Sequence, residues 1–190
     1  MPPDLQRGLI PRDDTTQLIA VLDTLKSRLH DAYQQWSLLD ENGRIPAAPS
    51  PTMLLHHAAD AQGLSHEVLQ VTADFADNGH STTRVGSTVL KYLAAAATES
   101  SQAAPHFAEA ANAALLLARS SPSAEQHHLT KRMAIDHASA CACLRRSSRS
   151  LSDAATELDQ HLGLHGFLTS MRPQRPSPGP SLSTPSPRHR

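Results

Sequence analysis

Residues 134–162 read AIDHASACACLRRSSRSLSDAATELDQHL, and the phase of their apolar positions decides the fold. Ala134, His137, Cys141, Leu144, Ser148, Leu151, Ala155, Leu158 and Leu162 recur at alternating steps of three and four. A 3.5-residue seam held over four heptads is the pattern of helices lying side by side with knobs in holes. The polar run Arg146–Ser150 interrupts it in composition, and Ser150 with Asp153 resembles a capping box opening a new helix. A loop at that point would reset the phase, yet the phase passes through unshifted. The spacing therefore predicts one helix of about 40 residues, roughly 60 Å long.

The same arithmetic applies upstream. Leu18, Leu22, Leu25, Leu29, Ala32, Trp36 and Leu39 form an unbroken seam, opened by Asp14 with Gln17 and stopped by Asn42-Gly43 and the prolines 46 and 49. Ser50-Pro51 is a helix start with proline at the first helical position. Leu54, Ala58, Ala61, Leu64, Val68, Val71 and Phe75 follow, up to Asp77-Asn78-Gly79, with Gly63 as a possible break. A third helix opens near Ser81–Thr83 with Val85, Val89, Leu93 and Ala96. Pro105 predicts an interruption or a kink, with any break within Glu99–Ala104, before Ala104, Phe107, Ala111, Ala114 and Ala118 carry the stripe onward. Ser121-Pro122-Ser123 reopens the last helix.

Composition agrees with helix-on-helix packing. Hydrophobic residues are 39% of 190, much of that alanine, with six aromatics and eight glycines, a poor supply for a β-sandwich or a glycine-rich nucleotide loop. The expected class is all-α: an elongated antiparallel bundle of about four to five helices, the last one long. Its expected parts are an irregular lead-in (1–12), a helical domain (13–168) and a disordered Pro/Ser/Arg-rich tail (169–190). Two helices of about 26 residues (near 39 Å) laid against two longer rods leave an overhang of about 20 Å. On the sequence alone, that overhang predicts a stalk or a second subunit.

The net charge of −1 is unevenly spread. Arg172, Arg175, Arg188 and Arg190 give the tail +4 with no acid, which leaves −5 on the rest. A mildly acidic body excludes a broad nucleic-acid surface. Cys141 and Cys143 point about 200° apart on a helix, so they cannot pair with each other. No apolar run approaches a membrane span, and the N-terminus lacks a signal-peptide core. A cytoplasmic, reducing environment is expected.

Three clusters could carry function. Leu55-His-His-Ala-Ala-Asp-Ala-Gln-Gly63-Leu-Ser65 resembles the first helix and turn of a helix-turn-helix, which would imply DNA-associated regulation, with the basic tail assisting. The recognition helix that follows would carry Glu67, Asp74 and Asp77 without a Lys or Arg, the wrong sign for a major groove. Twelve histidines include the helical pairs His161/His165 and His137/Cys141 and the Glu125-Gln-His-His128 run, suggesting a metal-binding bundle enzyme. A di-iron carboxylate bundle needs two Glu-x-x-His motifs, and one is present. His137 and Cys141 sit on the seam, where a half-buried imidazole and a small thiol serve packing. For His161 and His165 the simpler account is a fraying helix end, where a histidine gains from the dipole.

The third cluster is Arg145, Arg146 and Arg149, with Lys131 and Arg132 upstream, an anion or partner contact if it is not simply a solvated face near Asp153 and Glu157. No nucleophile elbow, phosphate loop or dinucleotide fingerprint occurs. The expectation is a non-enzymatic bundle without cofactor or metal, binding a protein partner or itself, with no nucleic acid and no membrane.

Overall fold

The computed structural model describes residues 10–38, 45, 49–120 and 124–170. Among them are four α-helices, α1 (Arg12–Gln35), α2 (Pro51–Asp77), α3 (Arg84–Leu117) and α4 (Ala124–Ser170), a 3-10 turn at Gly79–Thr82 and no strand. Each helix runs antiparallel to the one before it. Around the bundle the order is α1, α4, α3, α2; α4 packs most extensively on α3, while α1 and α2 barely touch. The class expected from the seams is the class observed.

Local chemistry explains most boundaries. The Ser50 hydroxyl caps α2 by accepting from the Met53 N–H, and Thr83 caps α3 by accepting from the Gly86 N–H. α1 begins two residues before the expected capping box: Pro11 precedes it, no side chain caps it, and Asp13 and Asp14 sit in its positive first turn. It also stops at Gln35, short of the expected end, because Trp36 leaves the helix to lay its ring on His57. The expected stop at Asn42-Gly43, the Ser121–Ser123 start, Leu39 and residues 171–190 lie outside the described residues, while Thr169 and Ser170, expected in the tail, belong to the last helix.

Two expected breaks are not there. α2 is continuous through Gly63, which is exposed with open space around its α-carbon. The turn that the helix-turn-helix resemblance requires is therefore absent. α3 is continuous through Pro105, whose ring lies on the exposed face. The carbonyl that it leaves without an N–H donor lies on that exposed side, while Ala103, Ala104 and Phe107 bury the opposite face against the bundle.

α4 is unbroken through Ser147–Ser150. The two serines that resembled a break are buried and spend their hydroxyls between helices. Ser147 Oγ donates to the Ala96 carbonyl of α3 (2.9 Å), and Ser148 Oγ donates to the Lys26 carbonyl of α1 (3.1 Å). At 47 residues, α4 is about 70 Å long.

The main core joins Leu22, Leu25 and Leu29 of α1 to Leu64 and Val68, Val89 and Leu93, and Leu144, Leu151 and Leu158 from the other three helices. A second cluster lies beyond the end of α1, where Leu38 and Leu54 cover Ala110, Ala111, Ala113, Ala114 and Met133. This corrects the overhang expected from the length mismatch. The excess of α3 and α4 at that end is covered in part by the start of α2 and by Leu38, so it is not a bare two-helix stalk, although Leu115, Leu116 and Ile135 stay exposed there. At the opposite end His161, only 2% exposed, accepts a hydrogen bond at Nε2 from the Ile10 N–H (3.1 Å). It is a buried staple, not a fraying end; the side chain of His165 lies outside the described residues.

Candidate partner-binding groove

Arg145 and Arg149 are one turn apart on the edge of α4 that faces α1, and Lys26 and His30 are one turn apart on the facing edge of α1. Between them runs an open groove of about 390 Å³, whose walls also include Ser27, Asp31, Tyr33, Ser148 and Ser152. The groove exists because the leucines of both helices turn inward to the core, leaving small serines along the rim. Ser148 holds the two backbones together through the Lys26 carbonyl.

The charge of this groove is positive. Among the described residues neither Arg145 nor Arg149 enters a salt bridge, and both are exposed. Lys26 Nζ contacts Asp23 Oδ1 at 2.5 Å, and Asp31 supplies the single carboxylate of the walls. His30 Nδ1 lies 2.6 Å from the Tyr33 hydroxyl. Two unpaired guanidinium forks and an ammonium opposite them can engage carboxylates of an incoming segment in bidentate fashion.

Arg146, grouped with its neighbours by sequence, belongs elsewhere. It points to α3, where its Nε meets Glu99 Oε2 at 2.7 Å and its Nη2 lies 3.3 Å from the Cys143 thiol. Its hydrogen bond to the accepting Glu99 carboxylate pushes its pKa further up. One residue step on a helix turns a side chain by 100°, which sends Arg146 to α3 while Arg145 and Arg149 stay toward α1. Arg132 is likewise engaged, with Glu109 (2.8 Å) and Asp136 (3.8 Å). Lys26 and His30 were not found from sequence, because nothing in the α1 seam says which helix its flank faces.

The interior holds a second constellation, in which His137 and Cys141, paired by their spacing in the sequence, meet Trp36, His57 and Phe107 from the other helices. His57 of α2 stacks on Trp36 (centroids 4.9 Å apart, planes within 6°). Phe107 of α3 sits edge-on to Trp36, His57 and His137 at 5.4, 5.7 and 5.4 Å. The Cys141 Sγ is 3.8 Å from His137 Nδ1 and 4.0 Å from the Trp36 carbonyl. Burial pushes the Cys141 thiol up to about 11, with Arg145 pulling weakly the other way, and burial raises Cys143 too. Burial also lowers both imidazoles. Among the described residues no three His, Cys, Asp or Glu side chains converge as a metal would require. No described helix is long and apolar enough to cross a membrane. Comparison with family models, curated proteins and solved structures finds no match to this chain.

Proposed function

We propose that this chain is a non-catalytic helical binding module whose α1–α4 groove takes an acidic segment of a protein partner. The observation that carries the reading is the pair of unpaired guanidinium groups, Arg145 and Arg149, facing Lys26 across an open channel. The protonated thiols support it: a Cys141 at about 11 supplies almost no thiolate at neutral pH. A second copy of the chain is one partner of the right chemistry, since Asp60, Asp74 and Asp77 lie along α2.

The test is fluorescence anisotropy of a labelled glutamate-rich peptide, with a glutamine-rich peptide as control and sedimentation equilibrium on the protein alone. Saturable binding of the acidic peptide that weakens with salt is expected. Arg145→Glu with Arg149→Glu is expected to cut affinity at least about tenfold, the scale of one or two lost charge-assisted contacts. Arg146→Gln, outside the groove, is expected to leave it unchanged. Equal binding of both peptides, or no effect of the paired reversal, defeats the proposal. A sedimentation mass of twice 20.4 kDa that falls to 20.4 kDa in the reversal variant identifies the partner as a second copy.

A further inference from the structure

The end of α1 is held by a lock made of rings, and two of the rings are imidazoles. Trp36 is the chain's single tryptophan. It contacts α2 through His57, α3 through Phe107, and α4 through the Cys141 thiol on its carbonyl. His137 is 6% exposed and places an edge against Phe107. His57 Nδ1 and His137 Nε2 are buried without a hydrogen-bond partner. A neutral imidazole tolerates one idle nitrogen in such a site, whereas an imidazolium carries two N–H donors, both of which need acceptors.

The groups facing this pair act on a positive charge in both directions, and burial outweighs those that favour it. From α1 come the Trp36 ring and the Trp36 backbone, whose hydrogen bond favours a charge on His137 without outweighing burial; His30 is engaged with Tyr33. From α2 come Asp60, which favours a charge on His57, and His56, which opposes it. From α3 come the Phe107 ring and His106, the latter 3.7 Å from Asp136. From α4 come Cys141, whose thiol is neutral, and Asp136, which is turned to His106 and Arg132. His57 and His137 also repel one another when charged.

We propose that His57 and His137 form an acid-sensitive latch: protonating the pair expels the Trp36 ring and frees the C-terminal end of α1 while the rest of the bundle stays helical. The sign follows from burial. Both imidazoles lie below the ordinary histidine value near 6.5, so the unfolded or released form binds more protons. The latch is fully closed above about 6.5 and weakens as pH falls below it. Release stays local because α4, α3 and α2 hold one another without α1, and α1 keeps its leucines on α4. The inference is independent of the anion-binding reading of the α1–α4 groove.

The lone tryptophan reports on the latch directly. Trp36 emission and far-UV circular dichroism are followed together from pH 8 to pH 4. The expected result is a red shift of Trp36 with a midpoint below about 6.5, at pH values where the helical signal is retained. His57→Phe keeps a ring against Trp36 that cannot be charged, and His137→Leu removes the deeper imidazole; each is expected to move the Trp36 midpoint down by at least about half a pH unit. If His137→Leu lacks helical signal at pH 8, His57→Phe alone decides. A Trp36 signal that is flat to pH 4, that moves only together with loss of helix, or that titrates identically in the folded variants overturns the proposal.

Discussion

Two glycines in neighbouring helices have opposite worth. Gly63 lies in the middle of α2, exposed, with nothing within 4 Å of where a β-carbon would stand. It costs helix entropy and returns no contact, so Gly63→Ala is expected to stabilise the fold by about 0.5–1 kcal/mol, read as a higher denaturant midpoint at unchanged slope. Gly86 is buried in the first turn of α3, beneath the 3-10 turn. A β-carbon there would come within 2.0 Å of the His80 carbonyl oxygen. Backbone cannot step aside cheaply, so Gly86→Ala is expected to destabilise by about 1–3 kcal/mol on the same denaturant assay. If Gly63→Ala destabilised instead, the unbroken course of α2 would be wrong. At this scale the sequence was hardest to read: Gly63 stood out as a turn residue and Gly86 did not stand out at all, since only the fold shows what approaches each α-carbon.

At the scale of the element, hydrophobic phase proved a better guide than individual punctuation. The α4 seam from Ala134 to Leu162 held its register, and the helix follows it. Ser147 and Ser148 resembled loop residues because a sequence cannot show that carbonyls of Ala96 and Lys26 wait on adjacent helices for their hydroxyls. Pro105 misled in the same manner: its exposed position spares α3 a break but still forfeits one backbone hydrogen bond. Pro105→Ala is therefore expected to raise the melting temperature, corresponding to about 1–3 kcal/mol; an unchanged or lower value would mean the ring makes compensating contacts. The candidate groove was half legible. Arg145 and Arg149 share a helix and a spacing, whereas Lys26 and His30 join them only once α1 is known to lie on α4 instead of on its sequence neighbour α2.

The whole molecule is set by the length of α4, about 70 Å for 47 residues. Small-angle scattering is expected to give a maximum dimension of at least about 70 Å and a radius of gyration above the ~16 Å typical of a compact chain of this length. A near-spherical profile would show α4 bending, against its continuity through Ser147–Ser150. The unequal lengths predicted from sequence are real, but their consequence differs. Leu38 and Leu54 cover the inner side of the end where α3 and α4 outrun α1, while Met53, Leu55, Leu115, Leu116 and Ile135 remain exposed there.

The ring order also has a consequence for how the protein is made. Of the four described helices α1 is the first to be synthesised, yet it barely touches α2 and depends on α4, down to the bond between the Ile10 N–H and His161, 151 residues later. α2 and α3 can pair as soon as both are synthesised. Leu22, Leu25 and Leu29 must wait for the Leu144, Leu151 and Leu158 side of their cover until the last helix is made, an interval of roughly 6–25 s at ordinary rates of elongation. Nascent chains stalled before α4 should present that leucine row to any chaperone able to bind it, and chains released after His161 should not.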